Sequence, residues 1–405
     1  MRILFISDNF PPEVNAPATR TYEHCKEWVK LGAEVKVITC FPNFPQGRVY
    51  DGFKNKLHQK EYMDGIEVIR VWTYIAENKG FAKRIFDYMS FMISSFFAGL
   101  LVDTDVIIAT SPQFFTTWSA YALSVLKNKP WIFELRDLWP ESIEAVGAIR
   151  NKKVLRIFEK IELFLYRKAT LVIALTYAFK ENLVSRGIDE EKIKVVPNGS
   201  NLEQFSPREK NKRLTDLLGV KDKFVVGYIG THGLAHGLDF IIGAIEKLSD
   251  PDLHFLFIGD GARKRDLVSL AKKKSLKNVT FLDQIPKHLV PEYMSIIDVA
   301  LIPLRKAETF KTVIPSKIFE AAAMEKPILL GVDGEAKKIV EKYRAGLFFE
   351  PENESDFVAK LLKLKQNPDL YNEFKRGCTL LSRDYDRRRL AKLMYEHITE
   401  VVRKR

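Results

Sequence analysis

The chain has 405 residues, 46% of them hydrophobic and 29% charged, and a formal net charge of +12. That balance excludes a disordered or low-complexity protein and describes an ordinary globular one. The length exceeds what one hydrophobic core usually supports, so two domains with a cleft between them are expected.

The positive excess points to an anionic partner: a nucleotide, a phospholipid surface or nucleic acid. The basic runs at 263–265, 272–274, 387–389 and 403–405 are scattered and come without a nucleic-acid-binding motif. They read as solvated helix faces, and no nucleic-acid partner is expected. Cys25, Cys40 and Cys378 are odd in number and widely spaced, which fits a reduced, cytosolic compartment.

The chain opens at once on a strand, Ile3 to Ser7, without the apolar segment and cleavage site of a signal peptide. Further strands are expected at Val35 to Thr39, Ile66 to Val71, Val106 to Thr110, Trp131 to Leu135, Leu171 to Leu175 and Ile193 to Val196, with helical segments between most of them. Such alternation is the mark of parallel sheets covered by helices on both faces. The segment from Phe81 to Val102 is crowded with apolar side chains, and its polar-free part is too short to span a bilayer. Either it is buried against the first sheet, or it lies in a membrane interface with Lys79, Lys83 and Arg84 at its start; both hold if only its first turns are exposed. Asp103-Thr104-Asp105 marks a turn before the next strand, and no metal is expected there. Asp137 and Glu141 follow a strand and flank Trp139-Pro140. They either aim carboxylates into the cleft from the acceptor side, or Asp137 simply caps a helix. Arg136 either contacts a phosphate or pairs with Glu134.

A polar stretch from Pro197-Asn198-Gly199 to about Asp222 separates the halves, giving an expected first domain of 1–200 plus a closing helix at about 387–405, and a second of 201–386. The second half restarts at Phe224 to Gly230, followed by strands at Leu253 to Ile258, Val279 to Phe281, Val299 to Pro303, Ile328 to Leu330 and Leu347 to Phe349. His232 and His236 sit in a glycine-bearing loop straight after a strand rather than on an apolar face, so a functional role stands beside a structural one. His254 and His24 read as structural.

Pro315 to Pro327 is the most informative stretch, placing Lys317 and Glu320 on the first turns of a short helix. Lys317 with the helix opening at Ser316 suits a diphosphate, and Glu320 suits a ribose diol. The alternative is a surface pair three residues apart.

Taken together, the motifs resemble the family 4 retaining glycosyltransferases of GT-B fold. They run from Ser7-Asp8-Asn9-Phe10-Pro11-Pro12-Glu13 and Gly32-Ala33-Glu34-Val35 through Val195-Val196-Pro197-Asn198-Gly199 and Ile258-Gly259-Asp260-Gly261. Ile297-Asp298-Val299 and Ile318-Phe319-Glu320-Ala321 follow in the same order. Glu134-Leu135-Arg136-Asp137-Leu138-Trp139-Pro140 and Gly230-Thr231-His232-Gly233 are similar to a WbuB-like bacterial subgroup.

The resemblance implies an α/β protein of two facing Rossmann-like, doubly wound domains with a C-terminal closing helix, the first binding acceptor and the second nucleotide-sugar. It implies retaining, metal-independent transfer from a UDP-sugar, with no cofactor and no protein nucleophile, the departing phosphate taking the proton of the attacking hydroxyl. The acceptor it implies is a polyprenyl-diphosphate-linked saccharide at the inner face of the plasma membrane, in O-antigen or capsule synthesis. The subgroup suggests a sugar such as N-acetyl-L-fucosamine. Alternatives are a GT-B-fold UDP-sugar epimerase and a catalytically silent nucleotide-sugar or lipid-binding partner.

The expected donor contacts are Gly230, Thr231, His232, His236, Gly261, Arg263, Glu308, Thr312, Pro315, Ser316, Lys317 and Glu320, with Asn15 from the first domain. Catalytic roles are expected for Lys317, Glu320, Asp137, Glu141 and His232. Two departures stand out. The family's second glutamate, eight positions before Glu320, is Thr312 here, so that acid is either absent or supplied by Glu308. The usual Arg and Lys pair after the first strand of the second domain is missing, and His232 and His236 stand in that loop.

Overall fold

The computed structural model describes residues 1–44, 47–75, 81–111, 114–138 and 151–404. Lys79, Trp139, Pro140 and Glu141, singled out above, lie outside the described residues. The chain divides into two compact units, Met1–Pro197 with Arg387–Arg405, and Asn198–Asp386.

In the first unit, strands β1 (Arg2–Ile6), β2 (Glu34–Cys40), β3 (His58–Met63), β4 (Ile66–Val71), β5 (Val106–Thr110), β6 (Trp131–Leu135), β7 (Leu171–Ala174) and β8 (Ile193–Val195) form one sheet in the order β3-β4-β2-β1-β5-β6-β7-β8. All pairs are parallel except β3–β4. Every side chain of β5 and β6 is buried, as expected for strands covered on both faces. Helices α1 (Ala16–Lys30), α2 (Phe81–Leu100), α3 (Phe114–Lys127), α4 (Lys152–Lys168), α5 (Tyr177–Ser185) and the terminal helix at Arg387–Arg403 accompany it. The terminal helix buries Leu390, Ala391, Met394 and Ile398, and its Ala391 carbonyl accepts from Trp28 Nε1 of α1 at 2.8 Å.

Strand β3 was not foreseen. Its sequence His58-Gln59-Lys60-Glu61-Tyr62-Met63 has no apolar face, because it is an edge strand with alternate residues exposed. Its signal was the turn: Asp64 and Gly65 both hold positive φ, 48° and 80°, the two-residue hairpin geometry that Asp-Gly favours. The Asp103/Asp105 turn is held by Arg2, which contacts both carboxylates, Asp105 at 2.7 Å. Those acids tie β1 to the start of β5. Cys25, Cys40 and Cys378 are all buried and free, and burial pushes each thiol up.

Helix α2 has two faces. Phe91, Ser95 and Gly99 face inward, Gly99 allowing Leu123 of α3 to approach to where a Cβ would stand 2.4 Å away. Phe86, Met89, Ile93, Phe97 and Leu100 form an exposed stripe along its length, rather than at the first turns alone. Among the described residues, no helix is long and apolar enough to cross a membrane.

In the second unit, β9 (Phe224–Ile229), β10 (Leu253–Ile258), β11 (Val279–Leu282), β12 (Val299–Pro303), β13 (Ile328–Gly331) and β14 (Gly346–Phe348) form a fully parallel sheet in the order β11-β10-β9-β12-β13-β14. Its helices are α6 (Lys212–Leu217), α7 (Leu238–Ile245), α8 (Lys264–Lys273), α9 (Val290–Ser295), α10 (Lys317–Ala323), α11 (Glu335–Lys342), α12 (Glu354–Gln366) and α13 (Pro368–Asp384); the terminal helix of the first unit is α14. Strand order reverses between β9 and β12, which opens a crevice at their carboxyl ends, where ligands of such sheets bind.

Candidate functional site

The crevice of the second unit is bordered by the loop after β9 and the helix α10 after β12. Hydrogen bonding between β9 and β10 continues past their ends: Gly230 N–H donates to the Ile258 carbonyl at 2.9 Å and His232 N–H to the Asp260 carbonyl at 2.8 Å. Glycines permit this closeness. A Cβ on Gly259, at φ +143°, would lie 2.0 Å from the Gly230 oxygen, and one on Gly261 would lie 2.5 Å from the His232 oxygen.

Lys317, the first residue of α10, reaches across to this loop. Its Nζ donates to Tyr228 Oη at 3.2 Å and sits 4.5 Å from the centre of the Tyr228 ring. A Cβ on Gly230 would fall 2.3 Å from Lys317 Cε and Nζ, so the ammonium rests directly on the glycine backbone. Burial pushes its pKa down to about 8, and Glu320 one turn on opposes that shift. A half-buried lysine held by a ring and a hydroxyl gains little compensation for its charge, and an anion would supply it.

The other cations nearby are already committed. Arg305, which follows β12 and was not singled out from the sequence, donates to the Leu234 carbonyl at 2.8 Å, to both oxygens of Asp239 at 2.8 and 2.7 Å, and to Glu352 at 2.9 Å. It clamps the 234–239 loop. Lys264 donates to the carbonyls of Gly259 and Leu282 at 2.8 and 3.0 Å and to Asp283 at 2.5 Å. Arg263 pairs with Asp266 at 3.3 Å.

The histidines do not supply the missing charge. His232 is fully buried, its ring 5.8 Å from Tyr228 and 6.2 Å from Phe281, and neither ring nitrogen has a hydrogen-bond partner. Burial, helped by Lys264 and Lys317, pushes it down to about 4, and burial with Lys317 does the same to half-buried His236. Both are neutral near pH 7. The structure places the His232 ring beneath the loop, enclosed beside Tyr228 and Phe281.

The remaining expected donor contacts divide. Glu320, Ser316 and Pro315 are half-buried beside Lys317, and Thr231 is exposed on the loop. The helix opening is less free than the sequence suggested, since Ile318 N–H donates to the Pro315 carbonyl at 3.1 Å and Phe319 N–H to the Ser316 carbonyl at 3.1 Å. Glu308 is exposed on the turn Glu308–Thr312 and paired with Lys311 at 2.7 Å, while Thr312 Oγ1 donates to the Thr309 carbonyl at 3.1 Å.

In the first unit, Asn15 caps α1, accepting from Ala18 N–H at 2.8 Å and donating to Asn9 Oδ1 at 2.6 Å. Asp137 is half-buried beyond β6, where burial raises its pKa and Arg136 opposes the rise. Glu134 is buried and joined to Arg20 at 2.9 Å; of the two alternatives for Arg136, the ion pair with Glu134 is not formed among the described residues.

The fold places the protein in a recognisable class. Its units each reverse strand order about a central strand, and the whole chain superposes on Anabaena HepE in complex with UDP and glucose, a likeness covering 99% of this chain and 100% of that one with a TM-score of 0.72 and 17% identity. This is the GT-B fold.

The family model "Glycosyl transferase 4-like domain" matches residues 15–199, and "Glycosyl transferases group 1" matches 210–378. WcaI of Escherichia coli K12, by its name a glycosyl transferase of colanic acid biosynthesis, is 25% identical over 353 residues, 85% of this chain and 84% of that protein. An Escherichia coli UDP-Gal:alpha-D-GlcNAc-diphosphoundecaprenol alpha-1,3-galactosyltransferase is 26% identical over 246 residues, 58% of this chain and 61% of that protein. The chain belongs to the family 4 glycosyltransferases of GT-B fold.

Proposed function

We propose that the chain is a retaining, metal-independent transferase that moves a sugar from a UDP-sugar, bound on the second unit, to a diphosphate-lipid-linked acceptor bound by the first. The observation that carries this reading is Lys317, an ammonium set on the Gly230 backbone at the switch point of the second sheet. Leaving-group charge is stabilised best by a preorganised cation in a low-dielectric crevice. Glu320 would take the ribose hydroxyls, and the departing phosphate would receive the proton of the attacking hydroxyl. UDP is favoured by the relatives whose names or structures carry it, and polysaccharide assembly by WcaI and the galactosyltransferase. Membership of the WbuB-like subgroup, and with it an N-acetylated deoxyhexose donor, belongs to the same proposal.

The decisive test incubates the purified protein with a panel of UDP-sugars, a membrane extract and EDTA. Acceptor-dependent release of UDP is expected. A donor epimerised without acceptor would identify an epimerase instead, and no donor consumed would leave only a binding partner. Glu320→Ala is expected to weaken UDP binding by about 1.5 to 3 kcal/mol, the range for a hydrogen bond to a charged group. Calorimetry that found UDP affinity unchanged would remove the ribose role.

The same reading places the first unit on an anionic membrane. Phe86 and Phe97 on α2 are 65% and 61% exposed, and α4 exposes Lys153, Arg156, Lys160 and Lys168 with Ile157 and Phe164. Helices α2 and α4 both pack on α3, so apolar and basic faces lie on one layer. Replacing Phe86 and Phe97 together with Asp removes about 3 to 6 kcal/mol of apolar burial if both rings insert. Cosedimentation with phosphatidylglycerol vesicles is expected to fall at least a hundredfold while UDP affinity stays constant. Unchanged cosedimentation would refute this docking face.

A further inference from the structure

Beside the carboxyl end of β6 three guanidinium groups share one buried cluster in the first unit, and two of them are neutralised. Arg20 donates to Glu134 Oε1 at 2.9 Å and to the carbonyls of Pro197 and Val196 at 2.6 and 2.9 Å. Arg387 pairs with Glu23 at 2.5 Å. Arg136 is different: it is 7% exposed, its Nη1 is buried without a hydrogen-bond partner, and no ion pair holds it among the described residues. Its backbone is nonetheless fixed, since Arg136 N–H donates to Ser111 Oγ at 2.8 Å and Ser111 N–H to the Glu134 carbonyl at 3.0 Å. This ties the guanidinium to the ends of β5 and β6, next to the point where the strand order of this sheet reverses.

The carboxylates of Glu134 and Asp137 favour its charge from nearby, but neither meets the hydrogen-bonding need of Nη1. His24 of α1 is buried with Nε2 unpartnered, and burial together with Arg20, Arg387 and Arg136 pushes its pKa well down, so it stays neutral. Glu134 is committed to Arg20. A buried guanidinium with an unmet N–H is a standing cost to the fold. Its planar fork is suited to two oxygens of one phosphoryl group.

We propose that Arg136 is an oxyanion-binding residue of the first unit that takes a phosphoryl oxygen of a substrate onto its unpartnered Nη1. The proposal rests on the first unit alone and stands apart from the roles given to Lys317 and Glu320. Its oxyanion is the diphosphate of a donor or the diphosphate of an acceptor, and one experiment separates them.

Thermal melting of the full chain is followed with inorganic pyrophosphate, with and without saturating UDP, for wild type, Arg136→Met and Arg136→Lys. For an acceptor-side oxyanion, pyrophosphate still raises the wild-type melting temperature when UDP is saturating, and Arg136→Met abolishes that rise. For a donor-side oxyanion, Arg136→Met weakens UDP binding at least tenfold. In both cases Arg136→Met itself melts no lower than wild type, because an apolar side chain replaces an unpaired buried charge; an arginine kept for structure would give a lower melting temperature. Should Arg136→Met not fold, Arg136→Lys, which keeps the charge but not the fork, must bind pyrophosphate or UDP at least fivefold more weakly than wild type. A folded Arg136→Met that retains both affinities, or an Arg136→Lys indistinguishable from wild type in both, overturns the proposal.

Discussion

Lys317→Gln is expected to lower kcat/KM for the UDP-sugar by a factor of about 100 to 1,000, the loss associated with removing one preorganised donor to a developing oxyanion. Its amide keeps polarity but removes the charge, and the neighbouring cations cannot replace it: Arg305 is held by Asp239 and Glu352, and Lys264 by Asp283 and two carbonyls. The pH dependence gives a second readout. Burial holds the free ammonium at about 8, and a bound diphosphate favours the charged form, so its pKa is higher in the complex. UDP affinity is then constant below pH 8 and falls as pH rises through 8 and above, with protons taken up on binding in that window. Calorimetry in two buffers of different ionisation enthalpy measures the uptake. Stability of the unliganded protein moves the opposite way. The folded pKa lies below the ordinary lysine value of 10.5, so burying the charged ammonium costs stability at low pH, and that cost is relieved between pH 8 and 10.5. Lys317→Gln should abolish both dependences. A variant with wild-type kcat/KM would move the site elsewhere.

How much of this was legible in the sequence follows from the range of the interactions. The apolar strands were readable because Val106-Ile107-Ile108-Ala109-Thr110 and Val299-Ala300-Leu301-Ile302-Pro303 are buried on both faces and need no partner to be recognised. The polar edge strand β3 lacked that signal, and only Asp64-Gly65 announced it. Lys317 and Glu320 were readable as a local pair at the start of a helix. The contact of Lys317 with Gly230 and Tyr228 was not, because it joins positions almost 90 residues apart through sheet order. The enclosure of His232 was not readable for the same reason: Tyr228 and Phe281, from two different strands, stand beside its ring. Arg136 read as either a phosphate contact or a partner of Glu134, and nothing local showed that Arg20 is joined to Glu134.

Gly230→Ala is expected to cost nearly as much activity as Lys317→Gln, through a different cause. The new Cβ would stand 2.3 Å from Lys317 Nζ at a backbone φ of +151°, a conformation L side chains rarely adopt. Two responses are open to the chain. The lysine tip can swing away, because it is the flexible end of a long side chain, or the loop after β9 can shift. The loop is the stiffer of the two: Gly230 N–H is bonded to Ile258, His232 N–H to Asp260, and the Gly230 carbonyl lies where a Cβ on Gly259 would be. Lys317 therefore yields, and the ammonium leaves its place over Tyr228. Backbone strain of about 1 to 3 kcal/mol also lowers the melting temperature. Because both substitutions remove the same charge from the same place, their effects on kcat/KM should not add. The double variant Gly230→Ala with Lys317→Gln should be within about threefold of Lys317→Gln alone, against a multiplied loss if the sites were independent. Steady-state kinetics of the four proteins with one UDP-sugar completes the cycle. Additive losses would mean that Gly230 serves the donor through its own backbone rather than by seating Lys317.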